Sequence, residues 1–263
     1  MSGIDQREED LQRIRGFRLM DDDFMAKCFE DDIPCTELVL SIVLERSDLK
    51  VESVRTQYEI ANLQGHSVRL DVFATDGEGK RYNIEIQRAD RGAGAKRARY
   101  YSSLLDANLL DSGAKYEKLP ETYVIFITER DVLGGQLPMY HIDRTIAETG
   151  AKFADEAHII YVNGAYRGDT PLGTLMRDFH CTEADDIQYQ VLANRVRYFK
   201  ETGKGVTVMC KALEDMREAT RLEERRSIAR KLIQKGRMPL EEIAECAELP
   251  LEEVEKLART QSA

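Results

Sequence analysis

The chain is 263 residues long, 42% hydrophobic and 33% charged, with a formal net charge of −10 and no tryptophan. That length suits one large domain, or one domain with a small appendage, and the acidity argues against indiscriminate binding to nucleic acid. The longest apolar run, residues 38–44, is broken by Ser41 and is far too short to span a membrane. Residues 1–15 are rich in charge and carry no apolar segment, so no secretory signal is expected and the expected location is cytoplasmic. The 5 cysteines (Cys28, Cys35, Cys181, Cys210, Cys246) contain no CxxC pair and read as reduced thiols rather than as a disulfide framework or zinc site. His66, His141, His158 and His180 lie far apart, without ligand spacing.

In chain order, residues 19–29 predict a short helix, followed by an acidic loop over 31–34. Thr36 can cap a helix that buries Leu38, Val39, Ile42 and Val43. A strand over 49–60 comes next, then two alternating strands over 68–75 and 81–88 around the turn Asp76-Gly77-Glu78-Gly79-Lys80. Gly92 and Gly94 break the chain before a helix over 95–110. The run TYVIFIT, 122–128, has the continuous apolar character of a strand buried on both faces, and 158–163 reads as a further strand. After Gly173 the pattern is helical: 185–200, then one long helix or two over 206–235, stopped by Gly236. The tail predicts two short helices resembling a helix-turn-helix unit. Its second helix presents Glu252, Glu253 and Glu255 against Lys256, an acidic face suited to packing or dimerisation rather than to phosphate. This order predicts an α/β fold with a mixed sheet, organised as a domain over 1–175 and a helical C-terminal region over 176–263.

The hairpin is the informative segment. Side chains alternate along a strand, and folding about Glu78 sets Leu70 against Ile86 and Val72 against Ile84. The same register gathers Arg69, Asp71, Glu85 and Gln87 on the reverse face, with Asp71 opposite Glu85. A one-residue slip would set Asp71 against an isoleucine and scramble both faces, and Gly77 and Gly79 can supply the positive φ of a short hairpin loop. Two opposed carboxylates repel unless a positive charge lies between them, and a hard divalent cation meets that need. Beyond the second strand the local charge reverses: Arg88, Arg91, Lys96, Arg97 and Arg99 stand against Asp90 alone. Basic residues beside an acidic metal site suit a phosphodiester substrate, since cations position the backbone while the metal handles the scissile phosphate.

The helix–strand–strand–strand–helix–strand order, with Asp on the second strand and an acid-x-polar triplet on the third, resembles the restriction-endonuclease-like core of PD-(D/E)XK nucleases. LDVFATDGEGKRYNIEIQRADRGAGAKRARYYSSLLDANLL and PETYVIFITERDVLGG resemble the PD-(D/E)XK nuclease family transposases, a group related to the Rpn-type recombination-promoting nucleases. The resemblance implies a metal-dependent DNA endonuclease that hydrolyses phosphodiester bonds and promotes recombination or transposition. It implies Asp71 and Glu85 as metal ligands, Mg²⁺ (or Mn²⁺) as cofactor and DNA as partner. Gln87 falls where most PD-(D/E)XK nucleases carry lysine, and a glutamine amide can orient water but cannot act as a general acid or base at neutral pH. Some members also use a first-helix glutamate, for which Glu37 is the candidate and Glu45 the alternative. Arg97 and Tyr101, one helical turn apart, could steady the phosphate. The competing expectations are a catalytically degenerate member that binds DNA or a protein partner without cutting, and a scaffold assembling as a homodimer through the helical C-terminal region.

Overall fold

The computed structural model describes residues 3–60, 67–88 and 92–261. The chain divides into two compact units, Arg15–Thr202 and the pair of segments Met1–Ile14 and Gly203–Ala263. In chain order the elements are α1 (Gly3–Gly16), α2 (Asp22–Phe29), α3 (Ile33–Val43), β1 (Val51–Ile60), β2 (Val68–Asp76), β3 (Arg81–Gln87), α4 (Ala95–Leu109), β4 (Thr122–Thr128), β5 (Met139–Ile142), β6 (Ala157–Asn163), α5 (Pro171–Asp178), α6 (Gln190–Glu201), α7 (Gly203–Lys235), α8 (Leu240–Ala247) and α9 (Leu251–Gln261).

The unit Arg15–Thr202 is built on a six-stranded mixed sheet of order β1-β2-β3-β4-β6-β5. β1, β2 and β3 are antiparallel neighbours, β3-β4-β6 are parallel, and β5 closes the far edge antiparallel to β6. The parallel centre carries the apolar runs: Ile84, Ile86, Ile125 and Ile127 are all at most 2% exposed, as expected of strands covered on both faces. β2 instead alternates, burying Val68, Leu70, Val72 and Ala74. The α/β architecture with a mixed sheet and C-terminal helices agrees with a restriction-endonuclease-like fold.

One face is covered by α4, the crossover between β3 and β4, whose Tyr101 packs on Phe126, itself stacked on Tyr161. On the first part of the chain, α3 begins earlier than the sequence pattern suggests. Its cap is Asp32, whose carboxylate accepts the Cys35 N–H at 2.9 Å, and Pro34 occupies the first turn. Thr36 is therefore inside the helix, its hydroxyl turned back to the Asp32 carbonyl. Proline is well tolerated there because its missing N–H has no intrahelical partner to lose. α6 completes this layer: Arg195 donates to the carbonyls of Cys28 and Glu30 at the end of α2, and Phe199 packs edge-on against Phe24. All five cysteines are free thiols, and no helix among the described residues is long and apolar enough to cross a membrane.

In the other unit, α7 is a single 33-residue helix. The buried Asp10 of α1 accepts two hydrogen bonds from Arg217 of α7, at 2.6 and 3.1 Å. α8 and α9 pack on α7 through Ala229, Ile243, Ala247, Leu249 and Val254, joined by a left-handed Glu248 cap. Part of the acidic face of α9 is used internally, since Glu253 pairs with Arg226 at 2.6 Å.

Candidate active site

The hairpin register is the one expected from the sequence. Thr75 faces Arg81, Ala74 faces Tyr82, and Val72 faces Ile84. Asp76 fixes the turn: its buried carboxylate accepts the N–H groups of Glu78 and Lys80 and the Tyr82 hydroxyl, at 3.0, 2.9 and 2.7 Å. Gly79 supplies the left-handed residue, with φ of 85°.

Beyond Val72 and Ile84 the main-chain ladder gives way to side chains. The Asp71 N–H donates to Glu85 Oε1 at 3.2 Å, and the Ile86 N–H donates to Asp71 Oδ2 at 3.0 Å. Each carboxylate thus takes up a backbone donor at the place where the strands part, and the two acids face each other. Glu85 is fully buried, and its Oε2 has no hydrogen-bond partner. Burial first, and then the Asp71 charge, push the Glu85 carboxyl up to about 8; burial pushes Asp71 up to about 6. The pair therefore retains a proton close to neutral pH.

α4 brings a cation over this pair. Arg97 Nη2 lies 3.6 Å from Glu85 Oε2 and 2.7 Å from the Tyr101 hydroxyl, and the guanidinium stands over the Tyr101 ring. Arg97 Nη1 lies 3.5 Å from Gln87 Oε1. Gln87 is held from the other side by Gly92, where an added Cβ would come within 1.7 Å of Gln87 Oε1. The close approach depends on the missing Cβ: a side chain at this position would push the flexible Gln87 amide from its place beside Arg97.

Of the other expected residues, Glu37 is not brought to the pair. It accepts from Lys50 Nζ at 2.9 Å and from the Val51 N–H at 3.0 Å, which holds its carboxyl below the usual range. Val51 stands opposite Asp76, five residues along β2 from Asp71, roughly 16 Å away along the strand. Glu45 is exposed beyond the end of α3. Arg88 pairs with Asp21 at 3.0 Å, while Lys96 and Arg99 are exposed on the first turns of α4. Arg91 lies outside the described residues. The acid that the fold does bring near the pair is Asp22, in the first turn of α2, whose charge raises Asp71 further. The three consecutive acids Asp21, Asp22 and Asp23 were its sequence signal.

The donor set fits a divalent cation. Both acids offer hard oxygen, they repel one another without a cation, and Glu85 Oε2 is buried and accepts no hydrogen bond. Among the described residues no group of three or more His, Cys, Asp or Glu side chains could hold a metal. Two carboxylates suffice for Mg²⁺, which keeps several waters and is completed by substrate phosphates.

Residues 38–164 match the family model described as PD-(D/E)XK nuclease family transposase. No curated protein and no solved structure matches the chain.

Proposed function

With residues 38–164 placed in the PD-(D/E)XK nuclease transposase family, whose nucleases typically use divalent metal ions, we propose that this chain is a metal-dependent DNA endonuclease. The observation that carries this reading is the parting of β2 and β3, where Asp71 and Glu85 face each other and a buried Glu85 oxygen accepts no hydrogen bond. Asp71 and Glu85 would hold Mg²⁺, or Mn²⁺ in its place. When bound, the ion polarises a phosphate oxygen and acidifies water. The remaining work falls to the chain itself.

Arg97 is aimed by Tyr101 at the space in front of Glu85 and would draw a phosphate into it. Lys96 and Arg99, exposed on the same helix, would contact the backbone on either side and position the strand without reading its sequence. Gln87, fixed between Gly92 and Arg97, would orient a water or a phosphate oxygen by hydrogen bonding. It cannot exchange a proton as lysine can; losing such a group costs on the order of a hundredfold in rate, and the Arg97 charge offsets part of that. Recombination or transposition would be the biological setting of the cut.

Nicking of supercoiled plasmid tests the proposal, in Mg²⁺ and Mn²⁺ against EDTA and against Asp71→Ala. Metal-dependent nicking lost in Asp71→Ala is the expected result. A second reading, a protein that binds DNA without cutting, is favoured by one observation: Arg97 already places a positive charge 3.6 Å from Glu85 Oε2. Tight DNA binding that survives EDTA, with no cutting in any metal, would replace the first reading by the second.

A further inference from the structure

Asn83 on β3 is completely buried, and neither its Nδ2 nor its Oδ1 has a hydrogen-bond partner. Its neighbours across the sheet are Phe73 on β2 and Val124 on β4, which offer it nothing polar. A primary amide in such a place is strongly disfavoured over a leucine of similar volume. Among the described residues, the buried side-chain N and O atoms lacking a hydrogen-bond partner are three: the two amide atoms of Asn83 and Glu85 Oε2. Asn83 and Glu85 are two apart on one strand, so they share a face, with Cα atoms about 6–7 Å apart. The Asn83 amide lies close enough to Glu85 to favour its ionised form.

We propose that Asn83 is a positioning residue for Glu85: its amide, two residues away on the same face of β3, holds the buried Glu85 carboxylate facing Asp71. The consequence for metal affinity rests on the nuclease reading above; the coupling between the two residues does not.

The test is made on the full chain. Thermal unfolding in EDTA is compared for wild type, Asn83→Leu, Glu85→Gln and the double variant, and Mn²⁺ binding is measured by calorimetry. We expect the two single shifts in midpoint to combine non-additively, by about 2–4 °C or more. Mn²⁺ affinity should fall by about tenfold or more in Asn83→Leu and recover in part in Asn83→Ser, whose hydroxyl can still donate toward Glu85. Additive midpoint shifts, or wild-type Mn²⁺ affinity in a folded Asn83→Leu, would overturn the inference. If the leucine variant fails to fold, Asn83→Ala takes its place in the same cycle. Coupled midpoints in a wild type that binds no Mn²⁺ would leave Asn83 as the partner of Glu85 and remove the metal reading instead.

Discussion

Replacing Glu85 by Gln should stabilise the metal-free protein above neutral pH and leave it unchanged in acid. The folded state holds the Glu85 carboxyl up to about 8, from an ordinary value of 4.5. Between those values the folded chain keeps a proton that the unfolded chain has released. Stability therefore declines as pH rises across that window. At about 1.4 kcal/mol per unit the ceiling is about 5 kcal/mol. The effective permittivity around buried charges in proteins brings the usable figure to the order of 2 kcal/mol, or about 4–8 °C in midpoint. Glutamine keeps an oxygen for the Asp71 N–H but has no proton to lose. Thermal unfolding followed by circular dichroism in EDTA, at about pH 5 and about pH 8.5, compares the two proteins. Wild type should lose most of those degrees between the two conditions and Glu85→Gln far fewer. Mg²⁺ added at the higher pH should restore wild type and not the variant. A Glu85→Gln protein whose midpoint falls with pH as steeply as that of wild type would refute the reasoning, because the strain would then not lie in this carboxylate.

The other predictions address the parts around the pair. Gly92→Ala would drive a methyl into Gln87 Oε1; plasmid nicking should fall by about tenfold or more while the thermal midpoint moves little. Arg97→Met removes the one cation within 4 Å of Glu85 Oε2 among the described residues. Its DNA affinity should drop, and the slope of log affinity against log salt should shrink by about 1, as measured by fluorescence anisotropy. Asp76→Ala strips three donors of their buried acceptor at the hairpin turn. It should cost on the order of 2–4 kcal/mol in urea unfolding, yet nicking below the transition should persist, because Asp76 lies five residues along β2 from Asp71.

How far the sequence carried the site depended on whether each residue is placed by local periodicity or by distant packing. The Asp71–Glu85 opposition was legible because one register alone satisfies both the apolar alternation of β2 and β3 and the glycine turn. Asp32 was obscured as a cap because Thr36, just before the apolar run, made an equally plausible helix start; only the Asp32 carboxylate on the Cys35 N–H decides between them. β5 has four residues and no alternation to detect, and it exists because β6 offers it an edge. Glu37 and Asp22 are the instructive contrast. Asp22 lies in the first turn of α2, where the macrodipole favours an acid, and Glu37 lies one turn further into α3; nothing local separates a ligand candidate from a structural one. Packing of α2 and α3 against the sheet sends Asp22 toward Asp71 and Glu37 toward Val51.

The basic run shows the same division within one helix. Arg97, Ala98, Tyr101 and Leu105 lie on the side of α4 turned toward the sheet, the last three buried, whereas Lys96 and Arg99 stand about 100° to either side of that stripe. Arg97 is four residues before Tyr101, and on a helix this spacing places its guanidinium over the ring below. A charge in that position is aimed, and its neighbours are not. The run over 88–99 is therefore one inward-facing cation that completes the chemistry of the carboxylate pair, flanked by outward cations whose loss would weaken the hold on DNA without altering the site. Substituting Lys96 and Arg99 together should accordingly lower nicking at limiting DNA and leave the rate at saturating DNA unchanged, and a fall in the saturated rate as large as that of Arg97→Met would erase the distinction.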